Sequence, residues 1–139
     1  MVGKRYVDIN VFVYWLGKHP SFGGSAYEWI KKIEEAPRKA YVTSSLTLYE
    51  ALVVIAGLTG RSQEDKRFVE AVITPIMDLK GLVVVPTTPA DFTDAIMFME
   101  DYDMDYEDAL HLAVAIRTGA KEIVSNDKDF GKTPLKVTF

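Results

Sequence analysis

The stretch Lys4-Arg5-Tyr6-Val7-Asp8-Ile9 is a short apolar run after a basic start, and it predicts a first β-strand with a carboxylate at its end. A helix is expected directly after it, from about Asn10 to Gly17. Further strands are predicted at 40–43, 82–85 and 122–124, with a fifth at a sheet edge over 135–138. Short aliphatic strands separated by helices indicate a parallel sheet covered on both faces. The expected fold class is therefore α/β, a three-layer α/β/α sandwich with four or five mainly parallel strands.

Helical spacing predicts the segments between the strands: Ser25 to Ala36, Ser44 or Ser45 to about Gly57, Ser62 to Leu79, Ala90 to about Tyr102, and Asp105 to Arg117. Ser62 and Asp105 are expected as N-caps, and Pro75 is expected to kink its helix. The breaker-rich loop 18–24 contains Phe22-Gly23-Gly24, whose glycines permit a mobile lip of a cleft. In such folds the functional crevice lies beyond the carboxyl ends of the strands, so chemistry is expected immediately after each strand.

Size and composition restrict the class of protein. A chain of 139 residues suits a single domain over residues 1–139. The absence of cysteine excludes disulfides and thiolate metal sites and fits a reducing compartment. No apolar run approaches the roughly 20 residues that cross a bilayer, and residues 6–16 lack a signal-peptide cleavage site, so we expect a cytoplasmic protein with no membrane partner. The net charge of −4 argues against nucleic acid unless the acids are gathered around bound cations.

Two acidic residues lie at positions where an unpaired carboxylate would be unfavourable. Asp8 ends the first strand, where it either caps the following helix or has a functional role. Glu50 shares a helical stripe with apolar neighbours such as Tyr49 and Val53, and it is the only acid within its helix. The run 51–56 predicts a helix buried nearly all round, which leaves almost no solvated face for a structural glutamate. The pattern therefore favours a functional Glu50.

Two later segments add further carboxylates. Asp108 falls in the first turn of its helix, where an acid favours the dipole by ~0.3–1 kcal/mol, yet it shares a face with inward-packing Leu112. His111, one turn further, is interpreted as a core or supporting residue rather than a direct ligand. Ser125-Asn-Asp-Lys-Asp-Phe130 directly follows a strand and is either a polar turn or part of the site, to which Asp127 or Asp129 could belong.

Gathering four carboxylates in one place requires compensation. Two of them 4 Å apart repel by about 4 kcal/mol at an effective dielectric of 20, unless protons or a cation relieve the repulsion. An all-oxygen set favours magnesium or manganese over zinc. Such a site suits the hydrolysis of phosphodiesters.

Four motifs give the chain a family resemblance: Tyr6-Val-Asp-Ile-Asn10, Thr43-Ser-Ser-Leu-Thr-Leu-Tyr-Glu50, Tyr106-Glu-Asp-Ala-Leu-His-Leu-Ala113 and Ser125-Asn-Asp-Lys-Asp-Phe130. In order, spacing and placement they resemble the successive motifs of PIN-domain nucleases, and most of all the stand-alone VapC-type toxins of prokaryotic toxin–antitoxin pairs. The resemblance spans the whole chain. It implies a metal site of Asp8, Glu50, Asp108 and Asp127, with Asp129 as the alternative to Asp127 and with Asn10 and Ser125 as polar supports.

The same resemblance implies a metal-dependent endoribonuclease that uses Mg²⁺ or Mn²⁺, acts on RNA, forms a homodimer and is blocked by a cognate antitoxin. The extra acids at 101, 103, 105 and 107 lie outside the family pattern and are interpreted as a solvated loop and helix start, with a contact between Asp105 and the metal as the alternative. RNA would need basic contacts, for which the sequence offers Lys18, Lys31, Lys32, Arg38, Lys39, Arg61, Lys66 and Arg67.

Two other functions remain to be compared with a nuclease. A receiver-like or haloacid-dehalogenase-like phosphotransfer protein needs an aspartate two residues after its phosphorylated aspartate or an acidic pair before it. Here Asn10 stands two residues after Asp8, and no acid precedes Asp8. A non-catalytic PIN-like module that binds RNA or protein would be expected to lose acids, and all four positions here are acidic. Both alternatives are therefore less well supported than catalysis.

Overall fold

The computed structural model describes residues 3–139. Its strands are β1 (Arg5–Val7), β2 (Tyr41–Ser44), β3 (Leu82–Val85), β4 (Glu122–Val124) and β5 (Lys136–Thr138). They form one sheet in the order β3-β2-β1-β4-β5, and each neighbouring pair is parallel. The predicted fold class is confirmed, including the fifth strand at an edge.

Six α-helices connect the strands: α1 (Ile9–Leu16), α2 (Gly23–Glu35), α3 (Ser45–Thr59), α4 (Lys66–Met77), α5 (Pro89–Tyr102) and α6 (Tyr106–Arg117). Neighbouring residues of a strand point to opposite faces, so Val7 enters a core with α1–α4 whereas Tyr6 enters a second core with α5 and α6. The sheet is thus covered by helices on both faces. None of the helices described for residues 3–139 is long and apolar enough to cross a membrane.

The start of α4 differs from the prediction. Asp65, and not Ser62, is the N-cap, because its carboxylate accepts hydrogen bonds from the backbone N–H groups of Arg67 and Phe68. The Ser62 hydroxyl instead accepts from Glu64 N–H in the turn before the helix. Both residue types make such local bonds, so the sequence alone did not distinguish the two caps.

The loop before α2 is also shorter than predicted, since α2 already begins at Gly23. Gly23 and Gly24 are therefore the first two residues of a helix and do not form a mobile lip. Phe22 is left as the last residue of the loop, which runs from the end of α1.

The prediction that α3 is buried nearly all round is wrong. Ala51, Leu52 and Ile55 pack into the first core, whereas the opposite side of the helix is open. Its apolar side chains are 41–68 % exposed, and we call them the α3 patch: Tyr49, Val53, Val54 and Leu58. An apolar residue reads the same in the sequence whether its own chain covers it or not, so periodicity did not separate the two faces.

Candidate active site

Asp8 lies at the carboxyl end of β1 and is only 3 % exposed. Its Oδ1 atom accepts a hydrogen bond from Ile9 N–H (2.8 Å), so the residue caps α1. Its Oδ2 atom accepts from the Ser125 hydroxyl at 2.7 Å. Burial raises the pKa of Asp8 above its ordinary value, and the nearby Asp127 adds to the effect. Capping therefore explains one oxygen of this buried carboxyl but does not explain why a costly buried acid stands here.

Ser125 joins Asp8 to the segment that follows β4. While it donates to Asp8, its Oγ atom accepts from Asp127 N–H (2.9 Å) and from the Asn10 side-chain amide (3.2 Å). Asn10 in turn accepts from Asn126 N–H at 3.4 Å. The structure thus brings Asn10 and Ser125 together around Asp8, in the places where polar supports were expected.

Asp108 lies in the first turn of α6, where Asp105 caps the helix by accepting from Asp108 N–H (2.8 Å). Asp108, Asp127 and Asp129 each place a carboxylate oxygen within 4.8 Å of the others. Burial raises the pKa of Asp108 to about 7, helped by the charges of Asp127, Asp105 and Asp8. These residues form one acidic cluster. Asp127 and Asp129, which were predicted as alternatives for one position of the site, both belong to it.

Glu50 belongs to a second cluster, with Glu107 and His111. Its Oε1 atom lies 2.6 Å from His111 Nε2. Burial opposes ionisation of Glu50, but hydrogen bonding to His111 and Glu107 outweighs burial and lowers its pKa. The structure therefore does not place the four predicted carboxylates in a single group of equivalent ligands.

Glu107 was predicted to lie in a solvated helix start, and this prediction missed its proximity to Glu50 and His111. Its side chain is exposed, yet hydrogen bonding to Glu50, followed by burial and by the charge of Glu50, raises its pKa to about 7. The opposite pKa shifts favour a protonated Glu107 beside an ionised Glu50. A signal was present in the sequence, because Glu107 and His111 are four residues apart and lie on one face of α6.

A family model of the PIN domain matches residues 5–136 of the chain. The chain belongs to the PIN-domain family. Among solved structures it is similar to VapC20 of Mycobacterium tuberculosis, described as a toxin that cleaves the sarcin–ricin loop (18 % identity, 92 % of this chain and 93 % of that one, TM-score 0.74). It is also similar to a toxin–antitoxin complex of Klebsiella pneumoniae (18 %, 98 % and 97 %, 0.67) and to VapBC2 of Rickettsia felis bound to promoter DNA (19 %, 96 % and 96 %, 0.65). At these identities the similarity establishes the fold. No curated protein matches the chain.

His111 is almost completely buried, with 1 % exposure. Its Nδ1 atom lies 2.6 Å from the Tyr6 hydroxyl, which donates to Ser44 Oγ at 3.0 Å. Because Tyr6 donates to Ser44, a proton on each ring nitrogen completes the contacts with Tyr6 and Glu50, which favours the imidazolium form of His111. Burial opposes this protonation, but Tyr6, Glu50 and Asp8 outweigh it and hold the pKa of His111 well above its ordinary value. The supporting role predicted for His111 agrees with this geometry.

The donor atoms of this PIN domain fit a hard divalent cation. PIN nucleases generally use divalent metal ions, and the cluster of Asp108, Asp127 and Asp129 offers only carboxylate oxygens. The cluster of Glu50 and Glu107 includes the His111 ring, whose two nitrogens are already in hydrogen-bond contact with Tyr6 and Glu50. The residues that fit a cation best are therefore the aspartates beside Asp8.

The metal-free PIN domain is expected to become less stable as pH rises from about 5 to about 7. Asp108 and Glu107 have a pKa of about 7 in the folded chain and ordinary values when unfolded. In this window the folded state holds more protons, so each rise in pH favours the unfolded state. Groups with lowered pKa values, such as Asp65 and Asp91, change the stability only at more acidic pH.

Melting temperatures recorded across this pH range in EDTA would measure the slope. Asp108→Asn should flatten it, and saturating Mg²⁺ should do the same because the cation replaces the protons. A stability that rises between pH 5 and 7 in the metal-free protein would contradict the expectation.

Proposed function

We propose that this PIN domain is a metal-dependent endoribonuclease that hydrolyses RNA phosphodiester bonds, and that it acts as the toxin of a toxin–antitoxin pair. The observation that carries the proposal is the acidic cluster of Asp108, Asp127 and Asp129, packed against the buried Asp8 at the carboxyl edge of a parallel sheet. Such a cluster is electrostatically unfavourable without a cation. Similarity to VapC20, described as a toxin that cleaves the sarcin–ricin loop, supports RNA as the substrate.

In this proposal Asp8, Asp108 and Asp127 hold Mg²⁺ or Mn²⁺, with Asp129 as the alternative to Asp127. Glu50 completes the site from α3, fixed by its hydrogen bond to His111. Ser125 holds Asp8 and the backbone of Asp127 together through hydrogen bonds to both, and Asn10 donates a hydrogen bond to Ser125. The bound cation would neutralise phosphate charge and lower the pKa of water so that it becomes a usable nucleophile.

The decisive experiment is cleavage of single-stranded and structured RNA by the purified chain. Cutting should require Mg²⁺ or Mn²⁺ and stop in EDTA. Binding of RNA without cleavage, across several substrates and both metals, would favour a non-catalytic PIN-like module. A phosphotransfer protein is disfavoured, because both oxygens of Asp8 are engaged and the group is buried, which leaves no exposed nucleophile.

A cognate antitoxin is the proposed protein partner. Two of the similar structures are toxin–antitoxin complexes, of Klebsiella pneumoniae and Rickettsia felis. Co-expression of the chain with the product of the adjacent upstream reading frame should yield a complex that no longer cuts RNA. The cytoplasmic location and the single domain over residues 1–139 stay predictions.

We also propose a homodimer that uses the α3 patch. An exposed set of four large apolar side chains along one helix is costly in a monomer and is typical of an interface. Val54→Asp should convert a dimer into a monomer, as measured by light scattering at micromolar concentration. The matched control is Met77→Asp, which alters a 52 % exposed side chain on α4 and should leave the mass unchanged. A wild-type monomer, or a dimer that survives Val54→Asp, would contradict the proposal.

A further inference from the structure

An aromatic cluster lies between the end of α1 and the C-terminal end of β5, and it consists of Tyr14, His19, Phe22 and Phe139. The rings of His19 and Phe22 are stacked, with centroids 4.9 Å apart and planes at 29°. Tyr14 packs on Phe22 at 5.2 Å, and Phe139 lies edge-on to Phe22 at 6.2 Å. Phe22 remains 37 % exposed, so the cluster reaches the surface.

Hydrogen bonds connect the aromatic cluster to the acidic site. Asn126, between Ser125 and Asp127, donates from its side-chain amide to the Tyr14 hydroxyl at 3.4 Å. Ser125 N–H donates to the carbonyl of Thr138 at 2.9 Å, directly before Phe139. The cluster therefore flanks the same carboxyl edge of the sheet as the acids.

The loop that presents Phe22 is held in place by its own histidine. His19 Nδ1 accepts from the backbone N–H groups of Ser21 and Phe22, both at 3.0 Å, and His19 N–H donates to the Tyr14 carbonyl at 2.9 Å. Such a fixed arrangement loses little conformational freedom when a ligand stacks on it. The partly exposed Phe22 ring is therefore held in a fixed position.

Charge explains why aromatic contacts matter here. The chain carries a net charge of −4 and its site is acidic, so acidic groups outnumber the basic groups that could hold an RNA backbone. Of the predicted basic contacts, Lys31, Arg61 and Lys66 are in ion pairs with acids of the same helix or turn. Lys18, at the start of the aromatic loop, is exposed and forms no ion pair within residues 3–139. A lysine beside stacked rings is the combination that holds single strands.

We propose that the aromatic cluster is a base-stacking subsite, which holds one unpaired nucleobase of the RNA while Lys18 contacts the adjoining phosphate. The inference rests on the proposed nuclease function and deepens it. A single-stranded or looped substrate is required, because the base must be unstacked before it can reach Phe22.

Binding of a single-stranded RNA oligonucleotide tests the subsite, with fluorescence anisotropy as the readout. The measurement uses the Asp8→Asn background so that the RNA is not consumed. Phe22→Leu, which removes the ring but keeps an apolar side chain, should raise the Kd roughly 5- to 50-fold. The matched control is Phe92→Leu on α5, a phenylalanine that is 42 % exposed and lies outside the cluster, and its Kd should stay unchanged. Equal melting temperatures of the two variants would exclude a folding defect.

Cleavage of RNAs with a single abasic ribose gives a second readout. With Asp8 intact, kcat/KM should fall when the abasic ribose stands at one particular position near the cut. In the Phe22→Leu protein, kcat/KM should no longer depend on the position of the abasic ribose. Equal RNA affinity of the Phe22→Leu and Phe92→Leu proteins would overturn the subsite, even if the wild type cuts RNA. A Phe22→Leu protein that binds RNA normally but binds the antitoxin weakly would also overturn it. Failure of the wild type to cut any RNA would instead count against the nuclease function.

Discussion

Asp8→Asn is expected to lower RNA cleavage by more than about 100-fold, which exceeds the usual cost of losing a group that only orients a metal ligand. The variant keeps the shape of the side chain but removes its charge. The amide oxygen of the asparagine can still accept from the Ser125 hydroxyl or from Ile9 N–H, so the lost charge is the main effect.

The same variant should not destabilise the metal-free protein. Burial and the charge of Asp127 raise the pKa of Asp8, so its ionised form is unfavourable in the folded chain. The melting temperature of Asp8→Asn in EDTA should equal or exceed that of the wild type, while the gain on adding Mg²⁺ should shrink. This opposite effect on activity and stability distinguishes a metal ligand from a structural cap, whose loss would lower stability.

Asp101→Asn provides the control for charge, because it removes one exposed acid from the end of α5. It should cut RNA at the wild-type rate and respond normally to Mg²⁺. If Asp8→Asn cleaves RNA at the wild-type rate, both the role assigned to Asp8 and the proposed site are wrong.

The parts of the site that follow a strand in the chain were predictable from the sequence. Asp8 follows β1 and Ser125 follows β4, and because neighbouring parallel strands end at one edge of a sheet, their meeting follows from the order of the strands. Asp108 and its neighbours at the start of α6 are placed by a local cap at Asp105. These features depend on short stretches of chain, which is why motif and spacing were sufficient.

The pairing of Glu50 with His111 was not predictable, since it depends on how two distant helices pack. The two residues are 61 positions apart, on α3 and α6, and these helices cover opposite faces of the sheet. A functional Glu50 was also predicted on the expectation that α3 has no open face, whereas the α3 patch is exposed. Glu50 is nevertheless special, but for a different reason: it is the carboxylate that balances a buried imidazolium.

Replacement of His111 by leucine should lower the free energy of unfolding by about 3 kcal/mol, in the range expected when one partner of a buried ion pair is removed. The imidazolium compensates Glu50, whose side chain is only 14 % exposed, and it also satisfies the Tyr6 hydroxyl inside the second core. Tyr6→Phe is the matched control, because it keeps the ring and deletes only the two hydrogen bonds of the hydroxyl, to His111 and Ser44, and it should cost about 2 kcal/mol.

The double variant His111→Leu/Glu50→Gln separates the ion pair from simple packing. If the cost of His111→Leu arises from an uncompensated Glu50, then neutralising Glu50 should restore part of the stability, and the double variant should be more stable than the sum of the single changes predicts. Urea unfolding at pH 7 in EDTA would measure all four proteins of the cycle. Strict additivity would mean that the histidine contributes only packing, and the role of His111 in holding Glu50 at the acidic site would then be wrong. Residues in direct contact show coupling energies of roughly 1 kcal/mol or more. A coupling of that size would instead show that the Glu50–His111 pair joins α3 to α6 at the site, even without a bound metal.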